Sequence, residues 1–190
     1  MALKPEALIA ESQILVIRRA TPADADVCGR ICFQAFGTLA EKHNFPPDFP
    51  APEIPIHVLS TMFSHPSFFC VVAEQDGKIV GSNCLDERTP IAGVGPITID
   101  PSVQNRSVGR QLMQAVMSRA AERKFAGVRL VQAAYHNRSL SLYSKLGFVV
   151  KPHRHQRHRL NNSKPALKAP AEKSGVSCRY ENSRTLELWG

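Results

Sequence analysis

Between a β-rich run and an amphipathic helix lies a loop of small, polar and basic residues, Gln104-Asn105-Arg106-Ser107-Val108-Gly109-Arg110. The first backbone N–H groups of a helix have no partner inside it, and the helix dipole makes that end positive. Such a start suits a diphosphate. Arg106 and Arg110 add positive charge there. Gly109 has no Cβ, so backbone or ligand can come close. Downstream stands Asn137-Arg138-Ser139-Leu140-Ser141-Leu142-Tyr143-Ser144-Lys145-Leu146-Gly147-Phe148. Taken alone, Asn137 is an ordinary helix cap and Tyr143 an ordinary core aromatic.

The elements that position these groups can be read from periodicity. Ile14–Arg19 is β-rich and predicts a first strand. Thr21, Pro22 and Asp24 start a helix, with Val27, Ile31 and Ala35 at helical spacing. Pro46, Pro47, Pro50, Pro52 and Pro55 predict a stiff loop over 44–56, followed by a helix from about Ile56 to Phe63. Phe68–Ala73 and Ile79–Leu85 flank Asp76-Gly77 and predict a hairpin. A strand from about Ala92 to Ile99 is interrupted by Gly93, Gly95 and Pro96. Val108, Leu112, Val116 and Ala120, widened by Met113 and Met117, form the core stripe of the next helix. Val128–Ala133 is a strand, Asn137–Leu146 a short helix closed by Gly147, and Phe148–Val150 the start of another strand.

The two motifs together resemble the GNAT superfamily of N-acetyltransferases. The loop is similar to the family's Gln/Arg-x-x-Gly-x-Gly/Ala segment, with Ser107 in place of the first glycine. The second block is similar to the family's Asn-x-x-(Ala/Ser)-x-x-Leu-Tyr-x-Lys-Leu-Gly-Phe segment. The resemblance covers roughly residues 14–150, giving an N-acetyltransferase domain over 14–150 and a basic tail over 151–190. It implies an α/β fold of three layers, a mixed and mainly antiparallel sheet flanked by helices, with an irregular C-terminal tail. It also implies transfer of an acetyl group from acetyl-CoA, as co-substrate, directly to an amine acceptor. The diphosphate would lie on Gln104, Asn105, Arg106, Ser107, Val108, Gly109 and Arg110. The pantetheine arm would lie along Ile97, Thr98 and Ile99, with Asn137 touching it. Tyr143 would protonate the leaving thiolate, since a phenol with pKa near ~10 suits that role.

The general base is less defined. Residues 91–99 hold no carboxylate. Asp86 and Glu87, after the preceding strand, are the nearest, and Glu87 is taken first; His136 and Asp100 are alternatives. The substituted loop leaves a second reading open, a silent module that binds acyl-CoA without turnover. An open sheet edge would also allow two chains to pair as a homodimer.

Composition bounds the rest. The 190 residues hold one domain comfortably, and 43% hydrophobic content suffices for a core. No apolar run reaches a membrane span, and the N-terminus lacks a signal-peptide pattern, so a cytoplasmic protein is expected. Cys28, Cys32, Cys70, Cys84 and Cys178 read as reduced, small hydrophobic residues, and no metal site is expected. The net charge of +8 belongs mainly to the tail: 151–190 carries nine basic residues against three acidic, while 1–150 carries 15 against 13. The His/Arg run 153–159 lacks the interleaved aromatics of a nucleic-acid platform, so the nucleic-acid reading rests on charge alone. Thr185–Trp189 alternates like a strand, but using it would need a connection of over thirty residues.

Overall fold

The computed structural model describes residues 14–103, 107–133, 136–151 and 175–181. Strand β1 is Leu15–Arg19. Thr21 then turns the chain into a helix. Its backbone N–H donates to Asp24 Oδ2 at 2.7 Å, and its hydroxyl reaches the same oxygen at 2.9 Å. A 3-10 turn at Pro22–Asp24 leads into α1, Ala25–Lys42. The buried face of α1 is built on Cys28, Ile31 and Cys32, whereas Val27 is exposed. The thiols therefore form the stripe that Val27 was expected to share, and burial pushes the pKa values of both up to about 12. At that value they are neutral, small hydrophobic groups. Cys70 and Cys84 are likewise free and buried.

Helix α2, Glu53–Ser64, begins three residues before the expected Ile56. Pro55 lies in its first turn. An N–H there would have no helical partner, so the ring does not break the helix. Gly29 lets α1 and α2 approach closely, because a Cβ there would collide with Ile56.

Strands β2 (Phe68–Gln75) and β3 (Lys78–Asp86) form the expected hairpin. Asp76 and Gly77 both have positive φ, 52° and 75°, the two-residue turn that matches strand twist. The remaining elements are β4 (Ile91–Val94), β5 (Thr98–Ile99), α3 (Val108–Glu122), β6 (Gly127–Ala133), α4 (Asn137–Lys145), β7 (Val149–Lys151) and β8 (Gly175–Glu181). The sheet order is β1-β2-β3-β4-β6-β8-β7, with β5 on β3. Only β4 and β6 are parallel; the other pairs are antiparallel. One core lies on the α1/α2 side around Leu59, Val72 and the four thiols. The other packs α3, with Tyr143 and Phe148, on the opposite face around Leu85, Leu112 and Val116. The three layers are thus those expected.

The C-terminal segment corrects the expected boundary at residue 150. Gly175–Glu181 inserts as β8 between β6 and β7, pairing with Gly127–Ala133 on one side and Val149–Lys151 on the other. Val176, Cys178 and Tyr180 alternate with Ser177, Arg179 and Glu181, the period of a strand. The last strand among the described residues thus starts ten residues before Thr185–Trp189, which lies outside them, as does the His/Arg run.

One ion cluster ties the start of α1 to the sheet. Arg18 Nη1 and Nη2 donate to Asp24 Oδ2 and Oδ1 at 2.8 and 2.9 Å, and Nη2 also reaches Glu74 Oε1 at 2.7 Å. Those bonds from Arg18 lower the Asp24 pKa to about 2 against burial, and hydrogen bonds from Thr21 assist. The carboxylate therefore stabilises the fold fully above its ordinary value of 3.8, and the contribution is lost as pH falls through about 2. Asp24→Asn should cost about 2 kcal/mol at pH 7 and flatten the stability curve between pH 4 and 2, read by urea unfolding across pH.

Candidate functional site

The site begins where the sheet divides. β4 pairs with β6 from Ile91↔Gly127 to Val94↔Leu130. Gly95 then takes φ 129°, a conformation that side chains disfavour, and Pro96 offers no N–H to a neighbour. The chain turns away from β6 and resumes as β5, which pairs only with β3. β6 runs on to Ala133 with β8 on its other side. β5 and Val131–Ala133 are thus the two arms of a fork in the sheet.

The edge of β5 facing this fork follows from its register. Asp100 N–H donates to Val80 O at 2.9 Å, so Asp100, and with it Thr98, turns its backbone toward β3. Alternation turns the N–H and C=O groups of Ile97 and Ile99 the other way, into the fork. Thr98 is buried with its hydroxyl 3.3 Å from that of Ser82, while the Ile97 and Ile99 side chains pack against the α3 core. The arm of an extended ligand could therefore lie along this edge as an added strand does.

Helix α3 starts at the same end of the sheet. Val108 is its first residue and is buried with Gly109. Ser107 caps it at φ 58°, the left-handed region where glycine is cheapest. Ser107 thus holds a backbone conformation that favours glycine. Gly109 has a packing job as well. A Cβ there would lie 2.9 Å from Ile99 Cδ1 and 3.4 Å from Leu142 Cδ2, so its missing side chain seats α3 on β5 and α4. Arg110 is exposed beside them. Gln104, Asn105 and Arg106 lie outside the described residues.

Helix α4 closes the fork from the β6 side. His136 is its cap, and Asn137, expected to cap it, is its exposed first residue. Tyr143 is 5% exposed, with its ring 6.0 Å from Phe148, in the same core as Val94 and Leu130 at the root of the fork. The His136 ring meets the Ser139 hydroxyl at Nδ1, 2.7 Å away. Burial, then the charges of Arg138, His43 and Lys42, lower the His136 pKa below its ordinary 6.5. The end of α1 thus faces the start of α4, and α1 packs on β5 as well.

Glu87 is placed elsewhere. Arg119 Nε and Nη2 donate to its two oxygens at 2.6 and 3.2 Å, and Arg123 Nε stands 3.8 Å away. Its side chain is 7% exposed. Arg119 is eleven residues into α3 from Val108, about 16 Å along the helix. The expected base is therefore a staple between the end of β3 and the far end of α3, because two arginines at helical spacing reach it first. Asp86 is held by Arg88 at 2.7 and 2.8 Å, and that guanidinium lowers its pKa. Asp100 caps the turn after β5 through Ser102.

One site residue escaped the motifs. Gln132 lies in the part of β6 that runs past the fork, and both polar atoms of its side chain are buried without a partner among the described residues. Its signal was positional: it follows Val128 and Leu130 on the apolar face of a strand. An amide left waiting in the fork, an unpaired strand edge and a helix start fit a ligand combining amides with a diphosphate, as acetyl-CoA does. Among the described residues no cluster of His, Cys, Asp or Glu could hold a metal, and no helix is long and apolar enough to cross a membrane.

The chain's relatives agree with this geometry. The sequence profile described as "Acetyltransferase (GNAT) family" matches residues 36–148. Mycothiol acetyltransferase of Nocardia farcinica is 38% identical over 64 residues, 34% of this chain and only 21% of that protein's length. The fold resembles that of PaiA N-acetyltransferase from Thermoplasma acidophilum, solved in complex with coenzyme A, at TM-score 0.66 and 14% identity over 89% of this chain and 99% of that one. It also resembles the ribosomal-protein-S18-alanine N-acetyltransferase of Escherichia coli, at TM-score 0.65 and 16% identity over 93% and 99%. YncA from Salmonella typhimurium, solved with its cofactor acetyl-CoA, aligns at TM-score 0.63 and 14% identity over 88% and 93%. With the profile spanning more than half of its residues and the fork, helix start and α4 in order, this chain belongs to the acetyltransferase (GNAT) family.

Proposed function

We propose that the protein is an N-acetyltransferase that moves an acetyl group from acetyl-CoA directly to an amine acceptor. The observation that carries this reading is the division of the sheet beside the start of α3, where β4 leaves β6 and returns as β5 on β3. The working unit runs from residue 14 through at least Glu181, since β8 lies within the sheet. Acetyl-CoA supplies an activated acyl carbon and a thiolate leaving group.

The chain's residues divide the work by position. The N–H groups at the start of α3, with the 104–106 segment before them and Arg110 beside them, hold the diphosphate. The backbone of Ile97 and Ile99 and the Asn137 side chain align the arm. His136 replaces Glu87 as the base: the Ser139 hydroxyl lies 2.7 Å from Nδ1 and 3.2 Å from Nε2, and the ring nitrogen that carries no proton takes the acceptor's proton. The amine nitrogen then bonds the acyl carbon, the C–S bond breaks, and Tyr143 gives its proton to the departing sulfur. Ser139 positions the imidazole. CoA release across an amine panel, followed with a thiol reagent, tests the activity. Acetyl-CoA binding without release would favour a silent module.

Three variants apportion these roles. Glu87→Gln should lower stability by about 1–3 kcal/mol, because it strands Arg119, while leaving kcat within about threefold; thermal melts and steady-state rates check both. His136→Gln should lower kcat by about 10²–10⁴. Its lost readout is the acid limb: neutral His136 is the active form, so the wild-type rate should fall only as pH drops through a value below 6.5, and the variant's profile should lack that fall. Tyr143→Phe should keep acetyl-CoA affinity and lower kcat by about 10²–10⁴. A rate within threefold of wild type would make Tyr143 a packing residue.

A further inference from the structure

Gln132 carries more than packing. Val128 and Leu130, on the same face of β6, are buried in the α3-side core. Leu130 is also the last residue that β4 pairs with. Gln132 is therefore the first side chain past the point of division on that face. Its Nε2 and Oε1 are both shut off from solvent, and neither has a hydrogen-bond partner among the described residues. A buried amide left this way destabilises the ligand-free protein.

Asn83 shows the contrast. It too has a buried oxygen without a partner, but its Nδ2 donates to Leu112 O at 3.4 Å and meets Met113 Sδ at 3.5 Å. It lies between β3 and α3 and spends its donor there. Gln132 instead lies past Leu130, where β6 has lost β4 as a neighbour, and both its donor and its acceptor are unspent among the described residues. A donor and an acceptor side by side call for a ligand group with the opposite pair. A phosphate offers acceptors alone and a hydrocarbon chain offers neither, whereas a secondary amide offers one of each.

We propose that the Gln132 side chain receives a secondary amide of the pantetheine arm, donating one hydrogen bond and accepting one. This rests on the acetyl-CoA reading above. It gives Gln132 a signature that few binding residues share: removing its polarity should strengthen the free protein and weaken the complex.

The experiment compares wild type with Gln132→Met and Gln132→Glu. It measures melting temperature without ligand and calorimetric affinity for two probes, CoA and 3′-phosphoadenosine 5′-diphosphate, which lacks the arm. Gln132→Met should melt about 2–6 °C higher. Both variants should bind CoA about 10-fold more weakly, the loss of roughly 1.4 kcal/mol of pairing, yet hold the armless nucleotide as wild type does. Unchanged CoA affinity, an equal loss for both probes, or a lower melting temperature for Gln132→Met would each overturn the assignment. A wild-type protein that binds neither probe would overturn the acetyl-CoA reading itself and this assignment with it. That result is distinct from a failure at Gln132 alone, in which wild type binds both.

Discussion

A β-sheet holds together only while neighbouring strands keep offering each other N–H and C=O groups. That condition ends at Gly95-Pro96. Pro96 has no N–H to give, and Gly95 adopts φ 129°, so the strand leaves β6 after Val94↔Leu130 and returns as β5 against β3 alone. Among the described residues a backbone edge is left off the ladder, a place where unpaired polar groups are costly. The starts of α3 and α4 and the end of α1 all converge there. The start of α3 brings a positive helix end, the start of α4 a half-buried imidazole, and β6 a buried amide.

Holding such a fork open requires that the rest not relax into it. The two cores do this from opposite faces, with Leu59, Val72 and the thiols on one side and Leu85, Leu112 and Val116 on the other. Close approaches at Gly29 and Gly109 fix how α1 and α3 seat. Two charge clusters pin the ends: Arg18 with Asp24 and Glu74 at the start of α1, and Glu87 with Arg119 at the far end of α3. The Phe69 ring lies between Arg19 and Arg119, with guanidinium carbons 4.3 and 5.2 Å from its centre, and so joins the two arms of the scaffold.

The elements themselves were legible locally. Periodicity placed the Asp76-Gly77 hairpin, the α3 stripe and the β-α-α-β order, because these depend on residues near one another in the chain. The Gln104–Arg110 and Asn137–Phe148 segments pointed to the family for the same reason. Local signals erred where two of them competed. Pro55 argued against a helix that needed no N–H at that point. The strand pattern of Gly175–Glu181 was hidden by the basic composition of its surroundings, and Thr185–Trp189 alternated nearby.

What the chain determined by itself is therefore the set of elements, their order and the kind of ligand a glycine-containing helix start invites. Which carboxylate is spare, which histidine is half-buried and which amide is left unpaired depended on pairs of residues far apart in sequence. Glu87 lost its apparent role because Arg119 and Arg123, more than thirty positions on, come round on the next helix to meet it. His136 owes its lowered pKa first to burial, then to its neighbour Arg138, and then to His43 and Lys42 at the end of α1, nearly a hundred residues earlier. Gln132 is left with an unpartnered amide, among the described residues, on the stretch of β6 that lies past the point where β4 turns away after Val94. Backbone propensity acts over a few residues and is written in them. Desolvation and charge pairing act through space, so the tertiary fold alone decides them.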